Sequence, residues 1–157
     1  MAIEFTPDNK KKLEETLTRY PTKRAALLPT LWIAQQQFGW ISQEVMEYVG
    51  KLLDLPPIKV YEVVTFYTMF QQKPVGKYHF QVCRTLSCEL CGKGEILNHL
   101  KKKLNIGVGE TTPDGRFSLV EVECLGSCGT APMLQLNDDF HENLTVERID
   151  EILKGLS

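Results

Sequence analysis

The chain has 157 residues, with 18 lysines and arginines against 20 aspartates and glutamates, and 43% of its residues are hydrophobic. This length allows one core of ordinary size or two small ones, and the slightly acidic balance gives no indication of a nucleic-acid partner. The sequence lacks an apolar stretch long enough to span a membrane, and it begins with neither a secretory signal nor a transit peptide. We therefore predict a cytoplasmic protein with no direct membrane span.

The first part of the chain carries helix signals, and its character changes near residues 72–77. We predict a small helical region over 1–75 with four helices. The first begins at Thr6-Pro7 with an apolar face of Leu13, Leu17 and Tyr20, the second covers 25–38 and stops at Gly39, the third is capped by Ser42, and the fourth starts at Pro56-Pro57.

The second part, 76–157, alternates strand and helix patterns. In 77–84 apolar residues alternate with His79, Gln81 and Cys83, as in a half-buried strand. The predicted elements that follow are a helix over 92–105, a turn over 112–115, a strand over 116–123, a strand over 133–136, a turn over 137–139 with a short return at Phe140, and a final helix capped by Thr145. This is the element order of a thioredoxin-like fold. Such folds often hold a cis-proline in the place of Pro132, and the sequence leaves cis or trans open.

All five cysteines lie in two tight clusters in this second part: Cys83, Cys88 and Cys91, then Cys124 and Cys128. Both clusters follow a predicted strand, and strand ends are where α/β folds usually place their sites. An odd number of cysteines in a reducing compartment is a poor disulfide framework. The grouping therefore indicates a metal or redox centre.

Three chemistries suit these thiols. A [2Fe–2S] cluster needs four thiolates, two for each iron, and the pairs Cys83/Cys88 and Cys124/Cys128 supply them. A structural zinc also accepts four cysteines, although zinc sites favour the tighter C-x2-C spacing. Thiol–disulfide exchange by Cys88 and Cys91 is the third candidate, and it leaves the second pair without a purpose.

Several segments together resemble the thioredoxin-like [2Fe–2S] subunit (the 24 kDa or E-type subunit) of NADH:quinone oxidoreductase, respiratory complex I. The resemblance extends from about Leu28 to Leu153, in matching order and spacing. The segments that carry it are 28–42 (LPTLWIAQQQFGWIS), 60–70 (VYEVVTFYTMF), 83–88 (CRTLSC), 111–117 (TTPDGRF) and 124–128 (CLGSC).

This resemblance implies an α+β chain in which a small helical bundle that docks on a partner precedes a thioredoxin-like α/β [2Fe–2S] ferredoxin domain. It implies one [2Fe–2S] cluster on Cys83, Cys88, Cys124 and Cys128, with no catalytic residue in the chain itself. The expected partners are a flavoprotein subunit that carries FMN, the NADH site and a [4Fe–4S] cluster, and other peripheral-arm subunits, through which the chain is attached to the membrane. Related subunits serve NAD-linked hydrogenases and formate dehydrogenases, so the parent enzyme stays open.

Cys91 departs from the family pattern. With Cys83 and Cys88 it completes the C-x4-C-x2-C spacing of plant-type ferredoxins, so Cys91 as a ligand in place of Cys124 or Cys128 is an alternative. The main expectation is a half-buried free cysteine in the first turn of a helix.

Two further groups of side chains have open roles. The aromatic residues of the first part are expected either in a docking surface or in a helical core: Trp32, Trp40, Phe66, Tyr67 and Phe70. The acidic residues near the cysteines are expected in solvent, and if they pointed inwards they would make reduction harder: Glu89, Glu121 and Glu123.

Overall fold

The computed structural model describes residues 3–156, and the chain divides into two compact units, Met1–Pro74 and Val75–Ser157. None of the helices among the described residues is both long and apolar enough to cross a membrane. The α+β class predicted from the sequence is confirmed, since helices make up the first unit and a five-stranded sheet with helices makes up the second.

The first unit is a bundle of four α-helices: α1 Pro7–Leu17, α2 Leu27–Phe38, α3 Gln43–Leu53 and α4 Pro57–Phe66. The predicted caps are confirmed. The Thr6 hydroxyl accepts a hydrogen bond from Asn9 N at 3.3 Å, and the Ser42 hydroxyl accepts one from Val45 N at 3.2 Å. Gly39 ends α2 at φ +81°, in the left-handed conformation that glycine adopts without strain.

The helices enclose one apolar core. Its largest fully buried members are Leu31, Ile41, Val45, Val49, Leu53 and Val60. Phe70 is also buried in this core, whereas Phe66 is 75% exposed, so the predicted aromatic set is partly in the core and partly at the surface. Tyr20 was wrongly placed on the first helix, because α1 already ends at Leu17 and Tyr20 is exposed beyond it.

The second unit is a five-stranded sheet with three α-helices. In chain order its elements are β1 Tyr78–Cys83, α5 Leu86–Leu90, α6 Lys93–Leu104, β2 Glu110–Thr111, β3 Phe117–Val122, β4 Leu134–Leu136, β5 Asp139–His141 and α7 Val146–Gly155. The strand order is β2-β3-β1-β4-β5, with β1 parallel to β3 and the other neighbouring pairs antiparallel. The predicted strands and the helix over 92–105 are thereby confirmed to within two residues.

The prediction that the first strand is half-buried was wrong, because β1 has buried residues on both faces: Phe80 and Val82 on one, His79 and Cys83 on the other. His79 is only 5% exposed, and its Nδ1 lies 2.7 Å from the Ser118 hydroxyl of β3. Burial lowers the pKa of His79 to about 4, so the ring is neutral at physiological pH. Its Nε2 is buried without a hydrogen-bond partner in the part of the chain that the structure describes.

Gly76 lies so close to β3 that no side chain fits. Its amide donates a hydrogen bond to the Ser118 hydroxyl at 3.0 Å, and a Cβ built on it would lie 2.5 Å from the Phe117 carbonyl carbon. Such a contact with backbone cannot be relieved by rotating a side chain, so β1 and β3 would have to separate.

We therefore predict that Gly76→Ala lowers the free energy of unfolding by about 2–3 kcal/mol, as overpacking does in cores. The matched control is Gly94→Ala in α6, where a Cβ meets nothing within 4 Å. We expect this control to leave stability unchanged or to raise it by up to about 1 kcal/mol, through helix propensity. Chemical denaturation followed by circular dichroism measures both, and equal stability of the two variants would contradict the prediction.

Candidate metal centre

Three segments of the second unit meet at one edge of the sheet. Because β1 and β3 are parallel neighbours, with Cys83 opposite Val122, both strands end at this edge, and the Arg84 amide donates to the Val122 carbonyl at 2.9 Å. β4 is antiparallel to β1, so its beginning lies at the same edge, where the Cys83 amide donates to the Met133 carbonyl at 3.3 Å. The sheet topology thus brings both cysteine clusters together.

Cys83 and Cys88 form the buried side of the site, and we call them the inner pair. Cys83 is the last residue of β1, and the short helix α5 turns Cys88 back towards it. Each is 2% exposed, and both pack against Met133.

Cys124 and Cys128 form the exposed side of the site, and we call them the outer pair. Their Sγ atoms lie 3.6 Å apart on the loop that follows β3. Gly126, at φ +89°, turns this loop so that its amide points at the Cys124 Sγ at 3.4 Å. A residue with a Cβ would be strained at this φ.

The pKa of one thiol in each pair is lowered. Burial alone would raise the pKa of Cys83, but hydrogen bonds from Thr85 and from the Leu125 backbone outweigh burial and lower it. The Thr85 hydroxyl lies 3.2 Å from the Cys83 Sγ. The Gly126 amide is the main cause of a lowered pKa at Cys124.

The pKa of the other thiol in each pair is raised. Burial raises the pKa of Cys88 to about 11. The neighbouring Cys124 thiolate raises the pKa of Cys128. Charge interactions also link Cys83 with both outer cysteines, and Cys88 with Cys128, so the four thiols form one electrostatic group.

This arrangement fits a binuclear cluster, in which two cysteines bind each of two irons. Two thiolates that share one tetrahedral metal at about 2.3 Å lie about 3.8 Å apart, close to the 3.6 Å between the outer sulfurs. Among the described residues, no group of three or more His, Cys, Asp or Glu side chains is close enough together to hold a single metal ion.

Cys91 belongs to neither of these pairs. It follows the last residue of α5, its thiol is exposed, and its amide donates to the Ser87 carbonyl at 3.0 Å. The expectation of a half-buried cysteine in the first turn of a helix was therefore wrong. The sequence did not reveal α5, whose five residues are too few to show a helical period.

The loop that carries the outer pair is hydrogen-bonded to the residues that follow β5. Thr130, which was not predicted from the sequence as part of the site, makes these contacts. The Glu142 carboxylate accepts a hydrogen bond from the Thr130 hydroxyl at 2.8 Å, and the Asn143 amide donates to the Thr130 carbonyl at 2.7 Å. The peptide bond before Pro132 is cis, which answers the question that the sequence left open. These contacts fix the chain between Cys128 and β4.

Thr85 was also missed as a site residue, although its sequence position offered a signal. It is a hydroxyl residue in the short connection between Cys83 and Cys88, where a side-chain donor easily reaches a sulfur.

The acidic residues near the cysteines were predicted to be exposed to solvent. This holds for Glu123, which pairs with Arg84 at the surface. It is wrong for Glu121, whose side chain is 26% exposed.

The chain belongs to the thioredoxin-like [2Fe–2S] ferredoxins, since the model of that family matches residues 13–157. The cofactor that gives this family its name is one [2Fe–2S] cluster. Among curated proteins, the chain is 45% identical over 146 residues to an NADH-quinone oxidoreductase subunit of Rhizobium meliloti (strain 1021), covering 93% of this chain and 87% of the relative. It is 47% identical over 155 residues to "NADH-quinone oxidoreductase subunit 2" of Thermus thermophilus, covering 97% of this chain and 86% of the relative.

A solved structure shares the fold. The NAD+-reducing [NiFe]-hydrogenase in its air-oxidized state matches with a TM-score of 0.70 and 23% identity, over 80% of this chain and 22% of the hydrogenase chain. At this identity the likeness concerns the fold alone. The family and the relatives confirm the resemblance predicted from the sequence.

We predict that Cys91→Ser keeps the iron content and visible absorbance of the purified chain, because the exposed Cys91 thiol belongs to neither the inner nor the outer pair. Serine at any one of the four positions of the inner and outer pairs removes a thiolate ligand, so most of the iron and absorbance should be lost. Iron analysis and absorption spectra of the five single variants test this assignment. Loss of iron in Cys91→Ser together with retention in Cys124→Ser or Cys128→Ser would contradict it.

Proposed function

We propose that this chain is the [2Fe–2S] electron-transfer subunit of an NADH:quinone oxidoreductase and that it exchanges single electrons with FMN in a flavoprotein subunit. The observation that carries this proposal is the meeting of two thiol pairs, one buried and one exposed, at one edge of the sheet. A cluster held there is fixed on its buried side and accessible on the other. Both properties suit a centre that passes electrons to a neighbouring protein.

In this proposal Cys83 and Cys88 hold one iron and Cys124 and Cys128 hold the other. When bound, the cluster supplies reversible one-electron reduction. The chain supplies its surroundings: Met133 excludes water from the inner pair, and the Thr85 hydroxyl and the Gly126 amide donate to ligand sulfurs. Such hydrogen bonds stabilise the more negative, reduced state and so raise the reduction potential.

The relatives support the parent enzyme. Proteins named as subunits of NADH-quinone oxidoreductase are 45–47% identical to this chain over most of its length, whereas the hydrogenase likeness concerns only the fold. We therefore favour the quinone-reducing complex over the NAD-linked hydrogenase or formate dehydrogenase. The sequence has no G-x-G-x-x-G segment, and we assign the NADH and FMN sites to the partner.

Thiol exchange is less well supported. An exchanging thiol must be an accessible thiolate, whereas Cys88 is buried and its pKa is raised to about 11. A zinc-stapled scaffold is also less well supported, because the chain belongs to a family of [2Fe–2S] ferredoxins.

We assign docking on the flavoprotein subunit to the helical unit. Its α4 exposes three large apolar side chains, Ile58, Tyr61 and Phe66, at 58%, 50% and 75%. Apolar side chains at these exposures are costly in water, and aromatic residues are enriched in protein interfaces.

We further propose that the chain works in the cytoplasm and is held at the membrane through the other peripheral-arm subunits, because its proposed complex delivers electrons to a lipid-soluble quinone.

The test is electron transfer from the reduced chain to oxidised FMN. The purified chain is reduced with dithionite, freed of the reductant, and mixed anaerobically with the FMN-loaded flavoprotein subunit of an NADH:quinone oxidoreductase. We expect the electron paramagnetic resonance of the reduced cluster to disappear while the flavin takes up one electron for each chain that is oxidised. A chain that forms the complex and retains its electron would contradict the proposal.

Two variants separate docking from electron transfer. Cys128→Ser should lose the cluster but still bind the flavoprotein, because its helical unit is unchanged. Phe66→Ala should keep the cluster and bind at least about ten times more weakly, a typical loss for a central interface aromatic. Equal binding by Phe66→Ala would remove α4 from the proposed docking surface.

A further inference from the structure

Lys93 occupies an unusual position for a lysine. It is the first residue of α6 and is only 9% exposed. The N-terminus of a helix carries partial positive charge, which disfavours a cation there, and lysine is rarely buried unless it is paired. The reason for its placement therefore lies in its partners.

Two carboxylates contact the Lys93 ammonium. Its Nζ lies 2.7 Å from the Glu89 Oε2 of α5 and 2.9 Å from the Glu121 Oε1 of β3. The side chain of Glu121 is 26% exposed and that of Glu89 is 56% exposed, so the ammonium and Glu121 form the enclosed part of the group. One positive and two negative side chains leave this group with one net negative charge.

The group joins the two segments that carry the cysteine pairs. Glu89 directly follows Cys88 in α5. Glu121 lies opposite Val82 in the pairing of β1 with β3, just ahead of Cys124 in the chain. Lys93 thus links the helix that places an inner-pair thiol to the strand that leads into the outer pair.

Another ion pair lies at the same edge but is solvated. Arg84 Nε lies 2.9 Å from Glu123 Oε1, and these two side chains are 57% and 65% exposed. Water and salt screen exposed pairs, which contribute little to stability. The 11% exposure of the Lys93 side chain makes its charge far less screened.

We propose that Lys93 is a positioning residue for the cluster: it holds α5 against β3 and offsets the charge of the two carboxylates, which makes reduction easier. This inference rests on the proposed function, because it concerns the potential of the cluster which that function requires. Reduction adds one negative charge, so a nearby cation stabilises the reduced state and an unpaired carboxylate opposes it. Removing Lys93 leaves two negative charges, and removing the Glu121 charge leaves none.

The test compares midpoint potentials in redox titrations followed by electron paramagnetic resonance, on the full chain with its cluster. We expect a lower midpoint for Lys93→Met, a higher midpoint for Glu121→Gln, and a midpoint between these two for the double variant. Lys93→Arg should lie near the unchanged chain because it restores the cation. Lys59→Met is the matched control: it removes a lysine that pairs with Glu62 in α4 of the first unit, so its midpoint should not move.

Hydrogen exchange of the α5 amides tests positioning separately, and we expect faster exchange in Lys93→Met than in Lys93→Arg. Loss of iron from a folded Lys93→Met, with retention in Lys93→Arg, also supports positioning. Midpoints that do not move, or that move in the same direction for Lys93→Met and Glu121→Gln, would overturn the inference while the proposed function stands. An unchanged chain that holds no cluster would overturn both.

Discussion

The parallel pairing of β1 with β3 is the constraint on which the candidate centre depends. It places Cys83 opposite Val122, so that two segments far apart in the sequence leave the sheet at one edge. The pairing itself requires Gly76, whose backbone lies against Phe117. Antiparallel β4 then brings Met133 to the same edge, where it covers the inner pair. The site is therefore a consequence of strand order more than of any single loop.

The same geometry divides the site into a buried side and an exposed side. Cys83 and Cys88 lie in a small apolar cluster, whereas Cys124 and Cys128 lie in solvent on a loop shaped by Gly126. Reduction adds a negative charge to a cluster, and apolar surroundings such as those of the inner pair disfavour this charge. Hydrogen bonds to the sulfurs offset part of this cost. A cluster held between the two pairs would be insulated on one side and open on the other, as single-electron exchange between proteins requires.

The sequence predicted those features that depend on local chemistry. Caps such as Thr6 and Ser42 and the stop at Gly39 mark helix ends through backbone hydrogen bonds, so the helices were found nearly to their boundaries. The number and spacing of the cysteines indicated the pairs Cys83/Cys88 and Cys124/Cys128. That these four cysteines bind the cluster stays a prediction. Features that depend on tertiary neighbours were missed: His79 is buried against Ser118 of β3, and the partners of Lys93 come from two other elements.

The account rests on one claim, that the inner and outer pairs together hold one binuclear iron cluster. Mössbauer spectroscopy of the iron-57-labelled chain, before and after one-electron reduction, tests this claim most directly, with iron and acid-labile sulfide assayed on the same sample. The account predicts two irons and two sulfides per chain, two ferric sites when oxidised, and one ferric and one ferrous site with a total spin of one half when reduced. A folded chain that holds a single metal ion without sulfide, or no iron at all, would contradict it.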